Sequence, residues 1–263
     1  MLLKSDASFW TRLNGFYQRK SSSLLFRRVV KVNPERPLIS FTFDDFPRSA
    51  LLEGGKILNS FGLAGTYYAS FGLMGQVAPT GEIFVEDDLK LLTEQGHELG
   101  CHTFSHSHSW DTGTAAFERS VEENRLALKR AMPGLKFKTF SYPISPPRPR
   151  TKIRIGRRFL ACRGGGQVSN IAAADLNHLR AFFLEKSRDN MQAIQDVIDD
   201  NRRRRGWLIF AAHDISETPT RFGCTPRQFE AVVRYAVASG ALIAPVDKAL
   251  TMLGHRPEGG EVN

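Results

Sequence analysis

The alternation of hydrophobic and polar residues is clearest around Phe41, where Ile39, Phe41 and Phe43 occupy every second position. This period predicts a β-strand, and the strand ends at two adjacent acids, Asp44 and Asp45. In α/β folds the carboxyl ends of buried strands carry the functional side chains. Neighbouring side chains on extended backbone diverge, so one acid can bind a metal while the other handles a proton. A simple strand-to-turn junction is the alternative, since Asp favours turns.

From this strand onward, predicted strands and helices follow one another along the chain. Strands are predicted at 38–45, 65–71, 97–103, 138–143, 159–163, 178–185, 207–214 and 241–246. Helices are predicted at 50–60, 87–95, 115–131, 150–158, 190–204, 226–239 and 247–253. Such alternation is typical of an α/β protein with a parallel sheet, most simply closed as a (β/α) barrel of about seven or eight strands.

The helix predicted at 226–239 has the clearest sequence signals. Its hydrophobic residues recur at helical spacing, and Thr225 with Gln228 forms a capping-box pattern before the first turn. Pro226 takes the first helical position and Gly240 follows the last, as is usual for helix ends.

The pattern predicts one large domain at residues 37–254, with a basic N-terminal extension at 1–36 and a short tail at 255–263. The extension is expected to pack on the domain. Aromatic and leucine residues between Phe9 and Tyr17 recur at helical spacing, which predicts a short amphipathic helix. That helix would cover an end of the barrel, or contact a membrane or a partner.

Composition and charge narrow the functional class. The 263 residues carry a net charge of +9, but aromatic residues are not interleaved with the basic ones, so nucleic acid is not an expected partner. The run Arg202 to Arg205 is expected to be a solvated helix end. No apolar run is long enough to span a membrane, and the first residues lack a signal-peptide core, which predicts a cytoplasmic protein with peripheral membrane contact left open.

The cysteines do not point to a redox or cysteine-rich metal site. Cys101, Cys162 and Cys224 cannot all pair with one another, and their spacing fits neither a disulfide framework nor a zinc-binding motif. Cys101 lies beside two histidines but is expected to be a small buried residue.

A histidine-rich segment follows the strand predicted at 97–103. His102 and His106 are four residues apart, which would place both imidazoles on one side of a helical turn. Two neutral imidazoles with one carboxylate form a common open site for a catalytic divalent ion, and Asp45 is the candidate carboxylate. His108 is a weaker option for the ligand set, since histidine-rich loops are often only polar.

A third strand end carries His213 and Asp214 after the hydrophobic run at 207–212. A histidine at this place can serve as a general acid, because it titrates near neutrality. Its alternative role is a hydrogen bond to a loop carbonyl.

Taken in order, these segments resemble the polysaccharide deacetylase family, also called the NodB-homology carbohydrate esterases. The motifs are Thr42-Phe43-Asp44-Asp45, His102 to His106, Phe140-Ser141-Tyr142-Pro143 and Ile209 to Asp214. The similarity spans roughly residues 38–253 and implies a distorted (β/α) barrel with a divalent metal, usually zinc, although cobalt or another divalent ion is compatible. It also implies a role for each residue: Asp44 as general base, Asp45, His102 and His106 as metal ligands, the Tyr142 backbone N–H as an oxyanion donor, and His213 as general acid.

Three positions depart from the family pattern. Phe46-Pro47 stands where glycine is common, and the ring is expected to narrow the mouth of the site or reshape the acetyl pocket. Ser141 stands where an arginine is frequent; Arg163 is the best substitute from the next strand, and Arg148 and Arg150 are weaker ones. The acid that tunes the catalytic histidine is not evident, and Asp175 and Asp214 are the candidates.

These observations predict a metal-dependent hydrolase that removes N-acetyl groups from an acetylated amino sugar in an oligo- or polysaccharide. Hydrolysis of another amide or ester by the same metal centre is one alternative. A glycan-binding barrel with weak or no turnover is the other. The sequence leaves the sugar, the metal and the oligomeric state open.

Overall fold

The computed structural model describes residues 5–255, with side chains from residue 13 onward. The strands are β1 Val29–Val32, β2 Leu38–Phe43, β3 Thr66–Ala69, β4 Val77–Ala78, β5 Gly81–Glu82, β6 Glu98–Cys101, β7 Thr139–Ser141, β8 Ala161–Arg163, β9 Ala172–Asp175, β10 Phe182–Phe183, β11 Trp207–Ala212 and β12 Leu242–Ile243. The helices are α1 Ser5–Leu24, α2 Lys56–Ser60, α3 Glu86–Glu94, α4 Thr114–Ala131, α5 Pro149–Gly156, α6 Met191–Arg204, α7 Pro226–Ala238 and α8 Val246–Met252.

Parallel strands form a curled sheet in the order β10-β11-β2-β3-β6-β7-β8, and β12 pairs with the start of β2. The segment 179–183 connects the two edges of this sheet. Leu179 forms a parallel bridge with Arg163 on β8, while Phe182 pairs with Phe210 on β11. The predicted α/β barrel is confirmed.

The centre of the sheet is hydrophobic because β2 and β11 are covered on both faces. Every residue of these two strands is buried. Their buried polar groups are paired: the Thr42 hydroxyl donates to the Phe210 carbonyl (2.8 Å), and the Trp207 indole donates to the Ser40 hydroxyl (3.0 Å). Strands that are buried along their whole length are typical of parallel sheets between layers of helices.

The predicted strands and helices of the barrel occur with ends that differ by a few residues, except that the strand predicted at 178–185 is reduced to Phe182–Phe183. The helix predicted at 50–60 begins as a π-helical turn, Ala50–Gly55, and continues as α2. The Thr225 half of the predicted capping box is present, since Thr225 accepts from the Gln228 backbone N–H (3.2 Å). The Gln228 amide instead donates to the Arg188 carbonyl (2.6 Å).

The N-terminal helix is longer than predicted, and it leads into a strand that the sequence pattern did not indicate. β1 pairs antiparallel with β9, outside the barrel sheet. At the end of α1, the buried Lys152 ammonium donates to the carbonyls of Ser22 (2.6 Å) and Leu25 (2.8 Å), and it forms an ion pair with Asp175 (2.6 Å). A buried cation therefore holds the carboxyl end of α1 against the barrel.

None of the helices within residues 5–255 combines the length and the apolar character needed to cross a lipid bilayer. The predicted tail at 255–263 lies outside the described residues apart from His255. The three cysteines are free and buried, as expected for Cys101.

Glu98, at the start of β6, makes stability depend on pH. Burial and the nearby Asp247 carboxylate raise the pKa of Glu98 to about 7. They do so although the hydroxyls of Thr139 and Thr66 and the backbone N–H of Asp247 donate hydrogen bonds to the Glu98 carboxylate. A raised pKa means that the folded state binds this proton more tightly than the unfolded state. Stability associated with Glu98 is therefore present at acidic pH and is lost as pH rises from its ordinary value of 4.5 towards 7.

We expect Glu98→Gln to remove this loss, because the amide cannot ionise. From acidic to neutral pH, the parent should lose about 2 to 3 kcal/mol more of its unfolding free energy than the variant does. Urea denaturation of both proteins across that pH range measures the difference. Parallel pH curves for the two proteins would contradict the assignment.

Candidate metal centre

The two acids after β2 lie on a turn of left-handed backbone. The Asp44 N–H still bonds to the Ala212 carbonyl on β11 (2.9 Å), but φ is +62° at Asp45 and +54° at Phe46. Such values are uncommon for residues other than glycine and are often found at functional sites. The side chains of Asp44 and Asp45 therefore diverge because the backbone turns at Asp45, and not along extended backbone as the sequence predicts.

Asp45, His102 and His106 converge at one point. Each offers one ligand atom, and these atoms lie within 4.8 Å of one another. Asp45 Oδ1 is 3.1 Å from His106 Nε2 and 3.5 Å from His102 Nε2. A carboxylate with two imidazoles is a typical ligand set for a catalytic divalent ion.

The two histidines meet without the predicted helical turn. His102 follows β6 directly, and residues 102–106 form a loop in which Thr103 and His106 have positive φ. Ser120 of α4 holds this loop, since its hydroxyl accepts the N–H groups of Phe104 (3.1 Å) and Ser105 (3.2 Å). The loop folds back on itself, and the imidazole ring centres are 5.2 Å apart.

Neighbouring groups orient the three candidate ligands. The Thr80 hydroxyl donates to Asp45 Oδ2 (3.0 Å), and His102 Nδ1 is 2.8 Å from the Ser141 carbonyl. This second contact fixes the Nδ1–H tautomer and leaves the Nε2 lone pair facing Asp45. Asp45 Oδ1 is buried, and its polar neighbours are the Nε2 atoms of the two imidazoles.

The charges of Asp45 and His102 suit a bound cation. Burial lowers the pKa of His102 to about 4, so this ring is neutral at physiological pH. Burial alone would raise the pKa of Asp45, but contacts with His106 and His102 outweigh it and hold the carboxyl ionised. Burial would lower the pKa of His106, but its contact with Asp45 outweighs burial and raises that pKa, so a cation would displace a proton from this ring. His108 lies apart from this set and pairs with Asp111 (2.8 Å).

Asp44 contacts a different group, the guanidinium of Arg163. Arg163 Nη2 contacts Asp44 Oδ1, and the Ser141 hydroxyl donates to the same oxygen (3.1 Å). Burial would raise the pKa of Asp44, but the charge of Arg163 outweighs it and lowers that pKa. The guanidinium is buried, between the rings of Tyr68 (5.3 Å) and Phe183 (5.7 Å).

The two weaker arginine candidates lie elsewhere. Arg148 donates to the Trp110 carbonyl (2.7 Å) and stacks on the Trp110 ring, and Arg150 is exposed. Of the three arginines considered from sequence, Arg163 is the one that the structure places against Asp44.

The Tyr142 backbone N–H, expected to face an oxyanion, is already engaged. It donates to the Arg163 carbonyl (2.9 Å) at the end of the β7–β8 pairing, and the phenol is buried. The Tyr142 N–H would have to leave this hydrogen bond to donate to an oxyanion, and that role stays a prediction.

His213 follows β11 and lies close enough to Asp44, Asp45 and Glu185 for its charge to act on all three. Its Nδ1 is buried and has no hydrogen-bond partner within the described chain, and the same holds for Glu185 Oε2. Burial raises the pKa of Glu185, and the charge of His213 opposes that rise. Glu185 was not a sequence candidate, although it follows β10 as Asp44 follows β2.

Neither acid considered for tuning His213 does so. Asp214 accepts from the Thr220 backbone N–H (2.7 Å) and hydroxyl (2.6 Å), which closes the loop after β11. Asp175 belongs to the ion pair with Lys152 described above. Both carboxylates are therefore used by the fold.

Phe46 does not narrow the mouth of the site, contrary to the sequence expectation. The ring is fully buried, stacked on Phe84 (4.8 Å between centres) and beside Tyr67 (5.1 Å). The left-handed turn at Asp45 and Phe46 directs the aromatic ring into the core.

Comparisons with known proteins agree with this fold. A family model described as polysaccharide deacetylase matches residues 31–155. A search of curated proteins finds no match. Among solved structures, a family 4 acetyl xylan esterase from Clostridium thermocellum in complex with a cobalt ion has a TM-score of 0.61 and 17% identity, covering 86% of this chain and 96% of that one.

Two further structures are similar. One, described as T48 deacetylase with substrate, has a TM-score of 0.58 and 17% identity, and the alignment covers 82% of this chain and 92% of that one. Peptidoglycan deacetylase PdaC from Bacillus subtilis has a TM-score of 0.56 and 14% identity, with 84% and 93% covered. Residues 31–155 therefore match the polysaccharide deacetylase family model, within a chain that shares the barrel fold of these solved structures.

Proposed function

We propose that this chain is a metal-dependent hydrolase that removes N-acetyl groups from an acetylated amino sugar in an oligo- or polysaccharide. The observation that carries the proposal is the convergence of Asp45, His102 and His106, with Asp44 beside them but outside the ligand set. The similar structures include a peptidoglycan deacetylase and an acetyl xylan esterase, which supports an acetylated glycan as the substrate class.

Asp45, His102 and His106 would hold the ion. When bound, a divalent metal polarises the acetyl carbonyl and lowers the pKa of water. Zinc is the first choice for this ligand set, and cobalt or another divalent ion is compatible with it. Thr80 and the Ser141 carbonyl keep two of the ligands in position before the ion arrives.

Asp44 would accept the proton of the attacking water. Arg163 and Ser141 hold the carboxylate at Oδ1, which keeps Asp44 ionised and fixes its direction. The other carboxylate oxygen, Oδ2, remains for the water. Arg163 is thus a positioning residue for the base and replaces the arginine that is missing before Tyr142.

His213 would donate a proton to the departing amine, which is too basic to leave as an anion. Glu185 lies close enough to this histidine for their charges to interact. The other acids facing this histidine are Asp44 and Asp45, which have their own roles.

We expect Glu185→Gln to lower the rate of deacetylation by about tenfold to a hundredfold, because it removes a negative charge beside the proposed proton donor. Steady-state rates measure the effect. Glu217→Gln, in the exposed loop after β11, is the control and should leave the rate unchanged. An unchanged rate in Glu185→Gln would leave Glu185 with a structural role.

The function is tested by acetate release from N-acetylglucosamine oligomers. The protein should release acetate with added zinc or cobalt, lose activity in a chelator and regain it when the ion is restored. Acetylated xylan, tested in parallel, separates an amide substrate from an ester substrate. Glycan binding without release from any acetylated substrate would contradict the proposal and favour a binding barrel.

A further inference from the structure

The N-terminal extension exposes a group of large hydrophobic side chains that the barrel does not cover. We call this group the N-terminal apolar surface. Its members, each 45–67% exposed, are Leu13, Phe16, Tyr17, Leu24, Leu25, Phe26 and Val29. Single exposed hydrophobic residues are normal on a protein surface, but a contiguous group in one segment usually marks an interaction site.

The geometry of α1 places four of these side chains on one side of the helix. Leu13, Phe16, Tyr17 and Leu24 are separated by intervals that return to the same side of an α-helix. On the opposite side, Ser22 is fully buried, and Lys152 holds the end of the helix. The helix is therefore docked on the barrel by its polar side, and its apolar side faces outward.

The segment that carries this surface has charges of one sign. Between residues 13 and 34 the sequence has five basic residues and no acidic one. Arg19, Lys20, Arg27 and Lys31 are exposed, and the Lys20 ammonium lies 5.7 Å from the centre of the Phe16 ring. Exposed apolar side chains in a segment whose charges are all positive are complementary to anionic lipid headgroups above an apolar layer.

The surface lies beside the opening of the barrel. Tyr17 packs edge-on against Trp110 (6.0 Å between ring centres), which is in the loop that follows His106. The Trp110 indole in turn donates to the Pro146 carbonyl (2.9 Å) in the loop after β7. Both loops are at the carboxyl ends of the strands, where the candidate metal centre lies.

We propose that the N-terminal apolar surface binds the surface of an anionic lipid bilayer and holds the barrel opening next to it. Leu13, Phe16, Tyr17 and Leu24 enter the boundary between headgroups and acyl chains, and Arg19 and Lys20 contact lipid phosphates. Binding is peripheral and reversible, because only one short face of one helix is involved.

The test is co-sedimentation of the full chain with vesicles. We expect binding to vesicles of equal parts phosphatidylglycerol and phosphatidylcholine, little binding to pure phosphatidylcholine, and weaker binding as salt concentration rises. Arg19→Gln with Lys20→Gln should weaken binding about 30-fold, since each cation near an anionic surface contributes about a fivefold factor. Phe16→Ser with Leu24→Ser should weaken binding by about tenfold or more, because both side chains are exposed and lose their burial in lipid.

Matched controls separate this surface from general charge and hydrophobicity. Arg203→Gln removes an exposed cation from α6, and Val77→Ser removes an exposed hydrophobic residue from the β4–β5 hairpin. Neither control should change vesicle binding, and all variants should keep the melting temperature of the parent within a few degrees.

Two outcomes would overturn the proposal. Equal binding of the parent and both paired variants would show that lipid contacts another surface. Concentration-dependent dimers without vesicle binding, abolished by Phe16→Ser with Leu24→Ser, would show that a second copy of the chain covers these residues.

Discussion

Replacing Asp44 by asparagine is expected to lower the rate of acetate release by about 100-fold to 10,000-fold while the metal content is unchanged. Asparagine has nearly the same shape and keeps an oxygen for Ser141 and Arg163, but it cannot accept a proton as a base. Asp44 is not one of the three residues whose ligand atoms converge. Steady-state kinetics and elemental analysis of the purified variant measure the two quantities.

His102→Ala is the comparison that separates a ligand from a base. It removes one of two imidazoles, so we expect most of the metal to be lost along with the activity. His108→Ala is the matched control, because His108 is in the same loop but pairs with Asp111. It should keep both metal and activity. Equal loss of metal from Asp44→Asn and His102→Ala would place Asp44 among the ligands.

The sequence predicted the barrel well because its central strands are covered on both faces. The hydrophobic run of β11 and the alternating hydrophobic residues of β2 are compatible with few other structures. The β1–β9 pair could not be predicted in the same way, since β9 consists mainly of alanine and becomes a strand only through its partner.

Side-chain hydrogen bonds also limited the prediction at 178–185. The structure has only Phe182–Phe183 as a strand in this segment. Just before it, the Asn170 side chain accepts from the Arg180 N–H (3.0 Å) and donates to the Arg180 carbonyl (2.9 Å). The Asn170 side-chain amide thus forms the backbone hydrogen bonds with Arg180 that a neighbouring strand would otherwise form. A contact of this kind leaves no periodic pattern in the sequence.

Within the site, the candidate metal ligands were predicted best. Asp45, His102 and His106 were chosen as ligands from residue type, strand ends and the family resemblance, and the structure brings them together. The direction of Phe46 could not be predicted, because it depends on positive φ values that residues other than glycine rarely adopt. Glu185 was missed although it ends the strand predicted at 178–185, because it belongs to none of the motifs that carry the family resemblance.

Arg163→Leu is expected to reduce the unfolding free energy by about 3 to 5 kcal/mol, because it leaves the Asp44 carboxylate buried without its cation. Urea denaturation in a chelator measures the effect, so that a bound ion does not compensate for the lost charge. Arg203→Leu is the control, since Arg203 is 70% exposed in its pair with Asp200. That variant should cost about 1 kcal/mol or less.

The double variant shows whether the loss comes from the unpaired charge. Asp44→Asn in the Arg163→Leu background removes the carboxylate that was left alone, so the two changes together should cost about 1 to 3 kcal/mol less than the sum of the single changes. Strict additivity would mean that Arg163 acts mainly through its packing against Tyr68 and Phe183. In that case Arg163 would not be what holds Asp44 ionised, and another group would have to keep the base ready for the attacking water.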